Sequence, residues 1–207
     1  MRAVTLTILR APCPIVLKPG LLALFIALSV CGGMLVATRR LQYTGELWLT
    51  WQEAATVGAL SIAGLMLHEA GHAFAARATG RTVERLEFGL AGGAVTSGNT
   101  TPWRRVIAII TGPALELAFG TALWTAAGGT WEGLASPLGA AGLMAIINGG
   151  GNLLPVHKSL DGYRLLIFLR LALAGNRPLT CLPDGPCPAC AGSAEVLQAL
   201  MSVPARA

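Results

Sequence analysis

The chain has 207 residues, of which 54% are hydrophobic and 12% are charged, about half the ~25% charged content of an ordinary soluble domain. The mean hydropathy is +0.62, too apolar for a disordered chain, and the 26 glycines follow no collagen period. A small polytopic membrane protein is therefore predicted. The net charge of +5 comes from scattered basic residues, which argues against nucleic acid as a partner and points to membrane topology.

Four apolar stretches are long enough to cross a hydrocarbon core ~30 Å thick, which takes about 20 helical residues. They cover residues 20–38, 54–76, 106–127 and 136–154. A fifth run, residues 165–174, is short, follows Arg164 and contains Arg170, so a re-entrant or interfacial helix is expected there. The predicted fold class is an all-α polytopic membrane protein with about four transmembrane helices, this fifth helix and a small β element.

The basic residues predict the orientation of these spans. If the N-terminus is cytoplasmic, 13 of the 15 lysines and arginines fall on the cytoplasmic side, and only Arg39 and Arg40 fall on the other. This bias places both termini in the cytoplasm. The first span is expected to remain uncleaved rather than to act as a signal peptide. The predicted units are an N-terminal segment with the first transmembrane helix (1–53), a core (54–175) and a cysteine-containing cytoplasmic tail (176–207).

The second predicted span contains the sequence HEAGH at residues 68–72. On a helix His68 and His72 share one face and can converge on one cation. Glu69 follows the first histidine, where it can serve as a general base without being a ligand, as in the HExxH zinc hydrolases. Because ionisable groups are costly at bilayer depth, they favour a functional site over polar bridging between helices.

A hydrolytic zinc site uses three protein ligands and leaves one position open. The chain has only two aspartates, Asp161 and Asp184. His68 lies about eight residues from the inner end of its predicted helix, or about 12 Å at 1.5 Å per residue. Asp161 can reach it only if the fourth span breaks at that depth, and the sequence NGGGN at 148–152, followed by Pro155, predicts such a break.

Several motifs of this chain occur together in one known family. HEAGH at 68–72 is followed much later by Asn-x-x-Pro from residue 152 and by Leu-Asp-Gly at 160–162. The segment EFGLAGGAV at 87–95 is similar to a glycine-rich, membrane-associated β segment, and Thr-Gly-Pro at 111–113 is similar to a Gly-Pro motif. Over roughly residues 54–175, the chain thus resembles the site-2 protease family of intramembrane zinc metalloproteases.

The resemblance implies a metalloendopeptidase with one Zn²⁺ per chain. His68, His72 and Asp161 would bind the zinc. Glu69 would act as the general base, and Asn152 would help to bind substrate or to stabilise the oxyanion. The implied substrate is a single-pass membrane protein cleaved in regulated intramembrane proteolysis, with control by a separate regulatory protein, and the expected location is the lipid bilayer of a bacterial plasma membrane.

The glycine-rich segment is the expected substrate-binding element. A transmembrane helix must unwind locally before its carbonyls can be attacked, and residues 88–95 could pair with the unwound strand by β-augmentation. The candidate residues are Phe88, Gly92 and Gly93. A plain glycine-rich loop is the alternative interpretation of the same segment.

One position departs from the family pattern. An asparagine commonly follows the Gly-Pro motif, and the corresponding residue here is Glu116. A glutamate in the middle of a span must be protonated, hydrogen-bonded or turned towards a cavity. The packing of the third span is therefore left open by the sequence.

Two other functional classes compete with a protease. The first is a catalytically silent scaffold or chaperone of the same fold, which the intact histidine, glutamate and aspartate set argues against. The second is a metal transporter, whose ligands would be spread over facing helices, whereas the position of Glu69 favours a hydrolase. The tail cysteines Cys181, Cys187 and Cys190 are interpreted either as reduced thiols or as a metal or redox site.

Overall fold

The computed structural model of the chain describes residues 4–6, 14–89, 93–97 and 100–175. The elements in chain order are β1 (Val4–Leu6), β2 (Ile15–Leu17), α1 (Gly20–Thr44), α2 (Trp51–Ala78), β3 (Thr82–Phe88), β4 (Gly93–Ser97), α3 (Pro102–Ala126), α4 (Pro137–Asn152) and α5 (Asp161–Leu173). A 3-10 turn at Glu132–Ala135 precedes α4. The predicted class, helical with a small β element, is confirmed.

Three helices in the described ranges, α1, α2 and α3, are long and apolar enough to cross a membrane, and each coincides with a predicted span. The protein is an integral membrane protein. The fourth predicted span is a helix of 16 residues, about 24 Å long at 1.5 Å per residue. Because residues 132–135 form a separate turn and the helix ends at Asn152, α4 is shorter than the hydrocarbon core.

Helix α2 is the central element and packs against α1, α3 and α4. It begins at Trp51 because Thr50 and Glu53 form a capping box, in which each side chain bonds the backbone N–H of the other residue. Small and β-branched side chains fill the contact of α1, α2 and α4. They are Val36, Val57, Ala140 and Ala141.

The second core joins α3 to α5. Val106 and Ile109 of α3 pack against Ile167 and Phe168 of α5. The fifth predicted helix is therefore present, and it begins at Asp161, four residues before the predicted start at 165. Burial of this apolar face fixes the N-terminal end of α5 beside α3.

The sheet has four strands in the order β1-β2-β3-β4. Strands β3 and β4 are antiparallel, as are β1 and β2, whereas β2 runs parallel to β3. The sequence predicted only the part around β3 and β4. Pairing of β2 with β3 places the N-terminal segment at the end of the bundle where α2 connects to α3.

The backbones of α2 and α3 approach closely at Gly71. A Cβ atom on this residue would lie 2.8 Å from the carbonyl oxygen of Thr111 and 3.0 Å from the Cα atom of Gly112. A Cβ atom on Gly112 would in turn overlap the imidazole of His72. The glycine of the Gly-Pro motif therefore lets α3 lie directly against the HEAGH turn.

Candidate metal centre

Three ligand atoms converge on one point beside α2. The Nε2 atoms of His68 and His72 lie 3.0 Å apart, and Oδ2 of Asp161 lies 3.0 Å from the first and 3.1 Å from the second. His68 is 3% exposed and Asp161 8% exposed. Among the described residues, His68, His72 and Asp161 form the group of His, Cys, Asp or Glu side chains that is placed to hold a metal ion.

Asp161 reaches the histidines because the chain reverses between α4 and α5. The predicted break at residues 148–152 is displaced: residues 149–151 remain helical, and the turn begins after Asn152. Asp161 is the first residue of α5, and a Cβ atom on Gly162 would overlap the carbonyl of Leu153. Because residue 162 is glycine, the start of α5 can pack closely against the turn that follows α4.

Helix α3 holds both imidazoles from behind. Nδ1 of His72 lies 2.8 Å from the carbonyl oxygen of Ala108, and Nδ1 of His68 lies 2.9 Å from Oε2 of Glu116. The earlier histidine of α2, His68, faces the later residue of α3, Glu116, and His72 faces the region of Ala108. The two helices are therefore antiparallel at the site. Because both partners are acceptors, each neutral ring carries its proton on Nδ1 and presents a lone pair on Nε2.

The donor set fits a divalent metal ion. With both protons on Nδ1, two nitrogen lone pairs and a carboxylate oxygen face one another at 3.0–3.1 Å, an arrangement that is repulsive unless a cation lies between them. A tetrahedral zinc ion with bonds of ~2.0–2.1 Å sets its donors roughly 3.3 Å apart. A small outward adjustment of the three side chains therefore accommodates zinc.

Glu69 stands next to this cluster with an unsatisfied oxygen. Its Oε2 atom is buried and has no hydrogen-bond partner among the residues that the structure describes. A buried acceptor of this kind calls for a proton donor such as water.

Two asparagines of α4 complete the polar surroundings. Nδ2 of Asn152 lies 3.5 Å from Nε2 of His68, at the limit of a hydrogen bond, and Nδ2 of Asn148 donates to Oε1 of Glu116 at 2.7 Å. Asn148 is not among the site residues that the sequence predicts. The signal was available, since Asn148 and Asn152 are four residues apart and so share one helix face.

Two of the three predicted substrate-binding residues lie in the described strands. Phe88 is buried and ends β3, whose two edges are occupied by β2 and β4. Gly93 begins β4, an edge strand of the described sheet. Gly92 lies outside the described residues.

The third histidine and the tail cysteines are also metal-ligand residue types. His157 is exposed, and its Nδ1 atom bonds the hydroxyl of Ser159 at 2.7 Å, apart from the cluster of ligand atoms. Cys181, Cys187 and Cys190 lie outside the described residues.

Comparison with solved structures identifies a similar fold. The chain matches the structure titled "Site-2 Protease from Methanocaldococcus jannaschii" with a TM-score of 0.55 and 20% sequence identity, covering 84% of this chain and 74% of that chain. No model of a protein family matches the chain, and no curated protein matches it. The protein is thus an integral membrane protein with the fold of a site-2 protease.

Proposed function

We propose that the protein is an intramembrane zinc metalloendopeptidase that cleaves a membrane-anchored regulatory protein in or near its transmembrane segment. The observation that carries this proposal is the convergence of His68, His72 and Asp161 within 3.1 Å, beside Glu69, whose buried Oε2 atom has no hydrogen-bond partner among the described residues. The fold shared with a site-2 protease supports it. One Zn²⁺ per chain is held by the three converging side chains, and Glu69 is left free for proton transfer.

The residues divide the chemistry between them. Zinc at this site supplies Lewis acidity, which polarises the peptide carbonyl and makes water a stronger acid. Glu69 accepts a proton from water as the water oxygen bonds to the carbonyl carbon, and it returns that proton to the amine nitrogen as the C–N bond breaks. Asn152, whose amide lies next to His68, donates to the substrate carbonyl oxygen.

The substrate strand pairs with β4 in this proposal. A membrane-spanning helix must unwind before cleavage, and its freed backbone groups then need partners. Among the described strands β3 is interior, whereas β4 has one free edge. We therefore assign the pairing to the backbone that starts at Gly93 and treat the buried Phe88 side chain as support for the sheet.

The proposed location is a bacterial plasma membrane with both termini in the cytoplasm. The bias of 13 basic residues against two supports this orientation. Pairing of β2 with β3 puts the N-terminal segment and the α2–α3 connection at one end of the bundle, as that orientation requires. The metal centre lies about 15 Å from this end, because His68 is ten residues before the last residue of α2.

The decisive experiment separates metal binding from catalysis. The wild type and Glu69→Gln are purified in detergent, their zinc content is measured, and both are incubated with a panel of transmembrane reporter peptides. We expect the variant to keep about one zinc per chain and to lose about 10²- to 10⁴-fold in kcat, because only the proton acceptor is removed.

Glu132→Gln is the matched control, since it makes the same chemical change at an exposed glutamate of the 3-10 turn. It should leave zinc content and cleavage unchanged. A wild type that binds no zinc, or a Glu69→Gln variant that cleaves as fast as the wild type, contradicts the proposal.

A further inference from the structure

Glu116 is a buried carboxylate that the proposed catalytic steps do not use. It is 1% exposed, in the middle of the span α3, where an unpaired charge is costly. Both oxygens are bonded: Oε2 by Nδ1 of His68 at 2.9 Å and Oε1 by Nδ2 of Asn148 at 2.7 Å. A carboxylate placed behind a ligand histidine fixes the orientation of the ring and its tautomer.

We infer that Glu116, held in place by Asn148, is the positioning residue that aims Nε2 of His68 at the metal. The inference rests on the proposed zinc site and adds to it a residue that touches neither metal nor substrate. Asn148 acts through Glu116, because its amide bonds the oxygen that His68 does not use.

Charge balance in the packed helices favours a carboxylate at this position. A divalent cation held by Asp161 and two neutral imidazoles keeps one net positive charge, which attracts a carboxylate behind His68 as well as the neighbouring carboxylate of Glu69. Glu116 and Asn148 border a cavity of about 370 Å³ between α1, α2 and α4. The rest of its lining is mainly aliphatic, with the hydroxyl of Ser61 as a further polar group. In such apolar surroundings the attraction between these charges is stronger than in water.

The two ligand histidines are held in different ways, which provides an internal control. Nδ1 of His72 bonds the backbone carbonyl of Ala108, which a side-chain substitution on α3 does not remove. Nδ1 of His68 depends on the side chain of Glu116. Loss of that side chain should therefore release one ring and leave the other in place.

The first test measures zinc affinity by competition with a chromogenic chelator in detergent. Glu116→Ala should bind zinc about 10- to 100-fold more weakly than the wild type, as is typical for loss of a group behind a ligand. Glu116→Gln keeps one oxygen acceptor for His68, but it removes the charge and replaces the oxygen that accepts from Asn148 with an NH2 group, so it should recover only part of the loss. Asn148→Ala should weaken zinc binding in the wild type but not in the Glu116→Ala background.

The second test is independent of cleavage and uses ¹⁵N-histidine NMR of the zinc-loaded protein. The chain has three histidines, and His157→Gln removes the signal of the exposed ring. Of the two remaining rings, one should lose its protected Nδ1–H proton in Glu116→Ala, and the other should keep it. The unfolding midpoint of metal-free Glu116→Gln should stay close to that of the wild type, which excludes a general loss of structure as the cause of weaker zinc binding in that variant.

The results separate this inference from the proposed protease function. Equal zinc affinity in the wild type and Glu116→Ala overturns the positioning role, and so does an equal change in both ligand rings. Additive effects of Glu116→Ala and Asn148→Ala overturn the role of Asn148. A wild type that binds zinc but cleaves no reporter refutes the protease and leaves the positioning role supported by affinity and NMR.

Discussion

Carboxylates occur in two kinds of surroundings in this protein: in the buried cluster of ligand residues around α2, and in ion pairs that are more exposed to solvent. Glu116 and Asp161 are 1% and 8% exposed, and each bonds an imidazole of the cluster. The side chains of the pairs Arg40–Glu53 and Lys18–Glu87 are between 12% and 41% exposed.

The difference decides what a substitution costs. A group removed from the cluster leaves its former partner buried without its hydrogen bond, which costs more than the bond itself contributes. A group removed from an exposed pair leaves a partner that water can solvate, and such pairs are individually weak. Substitutions in the cluster should therefore have large effects on metal binding, and those at the ends small effects on stability.

The largest effect is expected for Asp161→Ala. The variant loses one of three ligands, so zinc affinity should fall by more than the ~10–100-fold that is typical of a group behind a ligand. Zinc content after dialysis is the measurement. Asn152→Ala is the matched control, because that amide lies 3.5 Å from His68 and is not a proposed ligand. If Asp161→Ala retains stoichiometric zinc, the third ligand is assigned wrongly.

Gly71→Ala should give the next largest effect, because it forces two backbones apart. The added methyl group meets backbone atoms of Thr111 and Gly112 at 2.8–3.1 Å, so relief requires α3 to move away from α2. We expect a loss of about 1–3 kcal/mol in the free energy of unfolding and weaker zinc binding, since α3 holds both imidazoles.

Gly150→Ala is the control for that substitution. A Cβ atom at Gly150 has open space within 4 Å, and alanine is favoured over glycine in a helix by about 1 kcal/mol. This variant should be as stable as the wild type or more so, by unfolding in detergent. Equal destabilisation by the two substitutions would show that the close approach at Gly71 is not the cause.

A moderate effect is expected at the opposite end of the bundle for Arg40→Lys. The guanidinium of Arg40 bonds both oxygens of Glu53 and the carbonyl of Ala135 at 3.0 Å, and it lies 3.9 Å from the ring centre of Trp48. A lysine ammonium cannot make all these contacts at once. Unfolding in detergent should show a loss of about 1 kcal/mol, while Arg39→Lys, at a half-buried neighbour whose guanidinium makes one exposed hydrogen bond, to Gln42, should show less.

The sequence predicts some contacts of the buried cluster and not others. The HEAGH pattern needs only helical periodicity to bring His68 and His72 together, and the scarcity of aspartate singles out Asp161. Glu116 stands out as a charge within a span, but its partner could not be inferred, because the contact with His68 depends on the antiparallel register of α2 and α3. The contact of His72 with the Ala108 carbonyl leaves no trace in side-chain identity.

The parts of the fold that the sequence did not predict depend on long-range pairing. Strands β1 and β2 have three residues each, too few for a recognisable alternation. Strand β1 pairs with β2, and β2 pairs with β3, which lies about 70 positions later in the chain. The length of α4 was overestimated because the apolar run includes both the capping residue Ser136 and the start of the turn after Asn152.

The smallest expected effect tests the exposed side of the comparison through pH. Lys18 bonds Oε2 of Glu87 at 2.5 Å, and Arg85 bonds Oε1 at 2.7 Å. The hydrogen bond from the Lys18 ammonium holds the pKa of Glu87 below its usual value of 4.5. The ionised carboxylate therefore stabilises the folded state above about pH 4.5, and this contribution is lost as the pH falls through the lowered pKa.

Glu87→Gln should thus be less stable than the wild type by at most about 1 kcal/mol near neutral pH, a value that added salt should reduce. The difference should narrow steadily below pH 4.5 as the wild-type carboxylate takes up its proton. Glu84→Gln, at an exposed site on the same strand, serves as the control and should show no such trend. A difference that stays constant from pH 7 to pH 3 would mean that Glu87 stabilises the sheet through packing rather than charge.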